Sequence, residues 1–455
     1  MNANWEIKKL GDVITLQRGH DLPSQDRQHG QVPIMGSSGI TGYHNQFKAK
    51  GPGVIIGRSG NSMGQVSYIS ENYWPLNTCL YVTDFKGNCP EFIYYFLKQI
   101  NFEQFNSGSA QKSLNRNAVY PFEVKFPTSY KAQSKIASTL FALENKIKLN
   151  QDINQTLEQI AQALFKSWFI DFEPVQAKIM ALEAGGSQEN ATLAAMTAIS
   201  GKNIHELAIL EHEHPEHYAE LKATAELFPS AMQESELGSI PEGWKISAIQ
   251  DVAKIVKGKS YKSTELDCSK TALVTLKSFN RGGGYRLDGL KEYTGKYKPE
   301  QEVFAGDLII AYTDVTQAAD VIGKPAMVIS DTRYEHLVIS LDVAAVRPFN
   351  DSLKYYLYGV ARTEQFQKHT SSHSTGTTVL HLSKNAVPDY KFILANEELV
   401  NIYSKHASSI FSKVNTTIEE NNFLSELRDT LLPKLISGEI TLPEVEEIAK
   451  EADYV

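Results

Sequence analysis

The sequence predicts an α+β protein built twice over: two mixed α/β globules and two long helices, one after each globule, packed together in a pseudo-two-fold internal repeat. Three observations predict this. Leu114-Asn115-Arg116-Asn117-Ala118-Val119 returns 268 positions later as Leu382-Ser383-Lys384-Asn385-Ala386-Val387. Each copy belongs to a stretch of short apolar, strand-like segments broken by Gly, Pro and Asn. Each globule is then followed by an unbroken 4-3 alternation of seam positions, the mark of a coiled coil.

The echo extends outward from that segment. Gly108 matches Gly376 at the same offset, Gln104-Phe105 resembles Gln365-Phe366, Tyr94-Tyr95 resembles Tyr355-Tyr356, and Trp5 answers Trp244. In the first globule, residues 1–130, strands are expected at Val13–Leu16, Gly53–Gly57, Cys79–Val82 and Val124–Phe126, with a helix near Glu91–Phe105. In the second, residues 241–395, they are expected at Leu273–Leu276, Asp307–Ala311, Ala326–Ile329 and Asp342–Val346, with a helix near Leu353–Phe366.

The first helical segment, 131–172, carries its seam on Ile136, Leu140, Leu143, Ile147, Asn150, Asn154, Leu157, Ala161, Leu164 and Trp168. The second, 396–440, carries Ala407, Ile410, Val414, Thr417, Asn421, Leu424, Arg428, Leu431 and Leu435. One such helix needs a partner, and the chain encodes the partner downstream. A helix of about 35 to 40 residues is roughly 50 to 60 Å long, enough to hold two globules apart. Asn154 and Asn421 fall at equivalent seam positions, where buried Asn fixes register at some cost in stability; the alternative is that both are wet positions beside a frayed seam. Residues 173–240 are Ala- and Glu-rich and read as an acidic helical extension or linker, solvated and without a core. Residues 441–455 form an acidic tail.

With 455 residues and 42% hydrophobic content, the chain can bury more than one core. The formal charge of −8 is unevenly distributed: residues 173–238 hold 11 acidic and 3 basic side chains, and the tail from Glu439 holds 6 and 1. Residues 1–130 hold 12 Lys and Arg against 9 Asp and Glu, so an acidic total does not exclude a basic face that meets DNA. Cys79, Cys89 and Cys268 form no CxxC pair, which fits a reducing, cytoplasmic setting. The start Met1-Asn2-Ala3-Asn4-Trp5-Glu6 lacks the basic and apolar pattern of a signal peptide, and no apolar run is long enough to cross a bilayer.

Catalytic signatures are missing. There is no Walker A sequence, no Gly-x-Ser-x-Gly, no HExxH and no Cys quartet, nor the Asn-Pro-Pro-aromatic tetrapeptide of amino-methyltransferases. Gly51-Pro52-Gly53 with Gly57 lacks the spacing of a dinucleotide loop and reads as a turn between strands. Asp389 near Lys391 could suggest nuclease ligands, but the pair sits at a domain exit. His205, His212, His214 and His217 lack a fixed ligand geometry and read as a solvated helix end. The expectation is therefore a non-catalytic chain with no metal.

Candidate recognition residues lie in loops that mix basic, amide and hydroxyl side chains with glycine, because such side chains can approach phosphates or present donors to base edges. In the first globule these give Arg58, Ser59, Asn61, Ser109, Gln111 and Lys112. In the second they give Tyr312, Thr313, Asp314, Gln317, Thr375 and Thr377. Ordinary turns are the alternative for any one of them; the pairing of loops in both globules strengthens the set.

Three stretches then bring a family into view: Ala163-Leu164-Phe165-Lys166-Ser167-Trp168-Phe169-Ile170-Asp171-Phe172-Glu173-Pro174-Val175, Ser235-Glu236-Leu237-Gly238-Ser239-Ile240-Pro241-Glu242-Gly243-Trp244, and Asp429-Thr430-Leu431-Leu432-Pro433-Lys434-Leu435-Ile436-Ser437-Gly438-Glu439-Ile440. With these the chain resembles the specificity subunit of type I restriction-modification systems over nearly its whole length. The resemblance implies two target-recognition domains, each reading one half of a split site on double-stranded DNA, and two helices that pack as an antiparallel coiled coil. It also implies a subunit without catalytic activity that joins two methyltransferase subunits, which use S-adenosylmethionine, to restriction subunits that use ATP and Mg2+. Phe165, Trp168 and Phe169, at the end of the first helix, are candidates either for docking the methyltransferase subunits or for core packing. Rival readings are a coiled-coil adaptor that binds no DNA, and a methyltransferase or nuclease with an unfamiliar motif. Salt-dependent, sequence-selective DNA binding separates the first rival, and methyl transfer by the isolated chain the second.

Overall fold

A computed structural model describes residues 4–108, 111–315, 320–377 and 379–440. The chain divides into two compact units, one made of residues up to 149 with those from 421 onward and the other of residues 150–420.

In the first unit, Trp5–Lys9 pairs antiparallel with Glu123–Pro127, and the short helix Leu10–Val13 follows. Thr15–Arg18, Cys79–Asp84, Gly53–Gly57 and Val66–Ile69 then form a four-stranded antiparallel sheet in that order. Gly53–Gly57 is buried along its whole length: Val54 and Ile56 join the main core with Leu16, Leu80 and Phe92, while Ile55 faces Met35, Tyr73 and Tyr81 on the other side. Burial on both faces is why this strand reads as a continuous apolar run instead of an alternation. The expected strand Val13–Leu16 starts two residues later, because Leu10–Val13 closes as a helical turn with Ile14 N–H donating to Leu10 O at 3.1 Å.

The second unit repeats this plan. Lys245–Ala248 pairs with Lys391–Leu394, Ile249–Val252 is the short helix, and Ala253–Lys257, Val343–Pro348, Leu308–Ala311 and Pro325–Met327 form a sheet in the same order. Each unit carries a second sheet that contains a parallel pair, Val32–Gly36 beside Trp74–Pro75 and Thr271–Val274 beside His336–Ile339.

Both expected single helices are broken in two. The first runs Pro90–Lys98, after which Asn101 accepts a hydrogen bond from Glu103 N–H and starts the separate turn Phe102–Phe105. The second ends at Arg362 because Thr363 is extended and its hydroxyl caps Phe366 N–H, opening the helix Glu364–Ser372. A side chain that satisfies the first free N–H groups restarts a helix after a bend.

The two long helices, Tyr130–Phe169 and Glu397–Ser437, pack together, and every seam position named above is buried or half-buried. In the first unit Ile136, Leu140, Leu431 and Leu435 close the core, and Asn421 Nδ2 donates to Ile147 O at 3.3 Å. In the second unit Asn150 Nδ2 donates to Glu420 Oε2 at 2.9 Å and Phe165 meets Tyr403 at 5.6 Å between ring centroids, so the first helix rises as the second falls and the pairing is antiparallel. Asn150, not Asn154, is therefore the seam amide of the first helix with an observed cross-helix bond.

Phe165, Trp168 and Phe169 are core, not docking surface. They lie among Phe228, Trp244, Tyr356 and Tyr403, with Trp168 only 1% exposed. The helix face that carries them looks into the second unit and leaves them nothing to present to a partner. Residues 173–226 also differ from a solvated linker. They form four helices, Glu173–Glu183, Gln188–Ser200, Ile204–Glu213 and Pro215–Glu226, around a small core of Ala195, Met196, Leu207 and Ala225. Small alanines let these helices approach closely, so the core needs few large apolar residues. Lys178 is buried there, and its ammonium donates to the carbonyls of Ala225 and Phe228 at 3.0 and 2.5 Å.

Candidate nucleic-acid interface

The two candidate loops of the first unit lie side by side. Ser59 bridges Ser113 in antiparallel fashion, Gly60 N–H donates to Lys112 O at 3.1 Å, and Leu114 N–H donates to Arg58 O at 2.8 Å. Arg58 is half-buried and its guanidinium donates to Asn77 O at 2.9 Å. Ser59 is half-buried as well, whereas Asn61, Gln111 and Lys112 are exposed. Lys112 pairs with Glu103 at 2.6 Å, but both side chains are about half-exposed. A pair in that setting contributes ~0–1 kcal/mol, so a phosphate can replace the carboxylate at small cost. Ser109 lies outside the described residues.

The same ladder recurs in the second unit. Thr313–Asp314 pairs with Leu380–Leu382 and Ser374–Thr375 pairs on the other side of it, making a three-stranded sheet. Leu382 N–H donates to Tyr312 O at 2.9 Å, and Tyr312 N–H to Asp342 O at 2.7 Å. In the first unit Leu114 bonds to Arg58 and Arg58 to Thr78 in the same way. Gly108 and Gly376 are crowded in the same way: a Cβ on either would fall 1.8 or 1.9 Å from the carbonyl oxygen three residues on, that of Gln111 or Val379.

Three of the second unit's candidates are scaffold. Tyr312, Thr313 and Asp314 are 4%, 5% and 1% exposed. Asp314 Oδ2 accepts from the N–H groups of Val321 and Ile322 at 2.6 and 3.0 Å, Thr313 donates to Asp342 Oδ1 at 2.8 Å, and the Tyr312 ring lies under the Lys257 ammonium, 5.3 Å from it. Burial pushes the Tyr312 phenol well above its usual range, so it stays neutral. The Thr313 and Asp314 side chains are spent on hydrogen bonds inside the fold, where unpaired polar groups would be costly, and the Tyr312 hydroxyl is buried without a hydrogen-bond partner, so none of the three faces solvent. Thr375 and Thr377 are exposed; Gln317 lies outside the described residues. The exposed side chains at this end of the ladder include two that a search for polar residues passes over, Val315 at 66% and Val379 at 37%.

Among the described residues, no group of three or more His, Cys, Asp or Glu side chains could hold a metal ion, and no helix is long and apolar enough to cross a membrane. His214 and His217 contact each other at 5.6 Å between centroids without a third partner of that kind. Lys391 pairs with Glu236 at 2.8 Å rather than with Asp389.

The model of the type I restriction modification DNA specificity domain matches residues 2–159. The HindI specificity subunit of Haemophilus influenzae is 34% identical over 318 residues, which are 68% of this chain and 67% of that one. The MjaIX specificity subunit of Methanocaldococcus jannaschii is 21% identical over 481 residues, covering 97% and 95% of the two chains. Among solved structures, the type I restriction-modification S subunit from M. genitalium shares the fold with a TM-score of 0.55 at 15% identity, over 96% of each chain. The chain belongs to the family of type I restriction-modification specificity subunits, the non-catalytic subunits that recognise the DNA target.

Proposed function

We propose that the chain reads a split site on double-stranded DNA, with residues 1–130 as one recognition domain and residues 241–395 as the other. The helical segments 131–172 and 396–440 join them, residues 173–240 are an accessory helical module of the second unit, and residues 441–455 are an acidic tail. The observation that carries this reading is that two equivalent ladders, Ser59 with Ser113 and Thr313 with His381, end in unlike exposed side chains. A symmetric dimer presents identical side chains to both halves of a palindrome; a duplicated and diverged chain can read two different sequences.

In this reading Arg58, Ser59, Asn61, Gln111 and Lys112 serve one half-site, and Thr375 and Thr377 contribute to the other. The chain assembles with two methyltransferase subunits, which bring S-adenosylmethionine, and with restriction subunits, which bring ATP and Mg2+; it acts in the cytoplasm, where the DNA is. No residue of this chain is assigned to those cofactors. Genome-wide mapping of methylated adenine in cells with and without the chain tests the reading. An asymmetric motif interrupted by a fixed spacer should vanish when the chain is removed; a palindromic motif, or methylation that persists unchanged, refutes it.

A further inference from the structure

The antiparallel register sets which exposed side chains correspond. Ser59 opposes Ser113 and Gly60 N–H bonds to Lys112 O; the chain then turns into the short 3-10 helix Gly60–Ser62, and Asn61 and Gln111 are the next residues outward on the two sides. Gln111 reaches back across the ladder, its Nε2 3.8 Å from where a Cβ on Gly60 would lie. In the second unit Thr313 opposes His381 and Asp314 opposes Leu380, and the next residues outward on the two sides are Val315 and Val379. The four side chains are exposed. One ladder therefore ends in two amides and the other in two valines, at equivalent places.

We propose that these residues flanking the two ladders are the base-reading positions, with Asn61 and Gln111 addressing an adenine and Val315 and Val379 packing against the C5-methyl of a thymine. Amides match adenine because Asn or Gln can donate to N7 and accept from the N6 amino group at once, and the thymine methyl is the apolar group on the major-groove edges of the bases. Two valines held at a loop end beside Thr375 and Thr377, with Val315 two-thirds exposed, leave apolar surface in water that such a methyl would cover. Their scaffold neighbours Thr313 and Asp314 are tied inward by hydrogen bonds, while both valines stay exposed. This proposal rests on the split-site reading above and adds which chemistry each half recognises.

The test uses the chain assembled with its methyltransferase subunits and duplexes that carry the mapped site. Each thymine of each half-site is replaced singly by deoxyuridine, which removes only the methyl, and each adenine by 7-deazaadenine, which removes N7. Wild type should lose several-fold in affinity at one deoxyuridine in one half and about tenfold or more at one 7-deazaadenine in the other, the scale of a lost bidentate contact. V315A/V379A should become indifferent to that deoxyuridine and keep its response to 7-deazaadenine; Q111A should do the reverse. The proposal is overturned if no deoxyuridine weakens wild type, or if V315A/V379A and Q111A respond to every modified base as wild type does. A complex that binds every sequence equally would instead overturn the split-site reading itself.

Discussion

Replacing Trp168 separates a core role from a docking role. The indole is 1% exposed and meets Phe169, Phe228, Tyr403 and His406 at ring-centroid distances of 5.9, 5.4, 6.5 and 6.4 Å. A buried Trp removes about 150–250 Å2 from water, which at ~25 cal/mol per Å2 sets an upper bound of about 4–6 kcal/mol. Trp→Ala substitutions in cores cost about 3–5 kcal/mol. At about 2–4 °C per kcal/mol for a unit of this size, W168A should lower the melting midpoint of the second unit by roughly 6 °C or more. W168F should cost far less, since it keeps most of the ring and removes an indole N–H that has no hydrogen-bond partner. Melting by scanning fluorimetry is compared with assembly with methyltransferase subunits, measured by size-exclusion chromatography below every midpoint. Both variants should assemble when folded. If W168F melted like wild type yet failed to assemble, the side chain would be a docking residue and the packing argument would be refuted.

Glu158 gives a pH signature. Burial holds its carboxyl above the usual range, with Arg362 opposing part of the shift, and Tyr358, Phe411 and Val414 line the same small cavity. A raised folded value means that the native state loses stability as pH rises from the unfolded carboxylate value of about 4.3 through the folded one. E158Q should therefore raise the melting midpoint at pH 7 and leave it unchanged well below pH 4; destabilisation at pH 7 would mean that the attraction to Arg362 dominates. G108A and G376A should each impair recognition of one half-site, and of opposite halves, because a Cβ would fall 1.8 or 1.9 Å from a backbone oxygen and Gly376 also has φ +125°. Strain of about 1–3 kcal/mol corresponds to roughly tenfold or more in binding. The same strain should lower the melting midpoint by several degrees, at about 2–4 °C per kcal/mol, so binding is compared below every midpoint. Loss of the same half-site in both variants would contradict the equivalence of the two turns.

The parts of this fold that were legible in the sequence are those where every residue is constrained. A coiled-coil seam needs an apolar or matched polar residue at each 4-3 step, so a single misfit would break the pattern. A strand buried on both faces, Gly53–Gly57, cannot hide a polar residue. The helices of 173–226 escaped because much of what they bury is alanine and threonine, Ala191, Thr192, Ala195, Thr224 and Ala225, beside few large apolar residues such as Met196 and Leu207. Close packing of small residues leaves little of the large-apolar periodicity by which a core is usually recognised.

The candidate site was legible as loops but not as residues, and the reason is geometric. Polar composition marks a turn, yet turns spend polar side chains on themselves; Asp314 satisfies two backbone N–H groups and faces no solvent. Valine, passed over for lacking donors, is what the ladder leaves exposed. A single repeat offset also misaligns the two globules. The second loops match at 268, as Ser113 and His381 do, but the first loops match at 254, as Ser59 and Thr313 do, because the connections between them differ in length. Only hydrogen-bond register, which does not depend on loop length, shows that Asn61 and Gln111 flank one ladder where Val315 and Val379 flank the other. The duplication thus announces itself through residues that are conserved by packing, such as Val119 and Val387, both fully buried, while the positions free to diverge are found only by following the ladder that those residues hold in place.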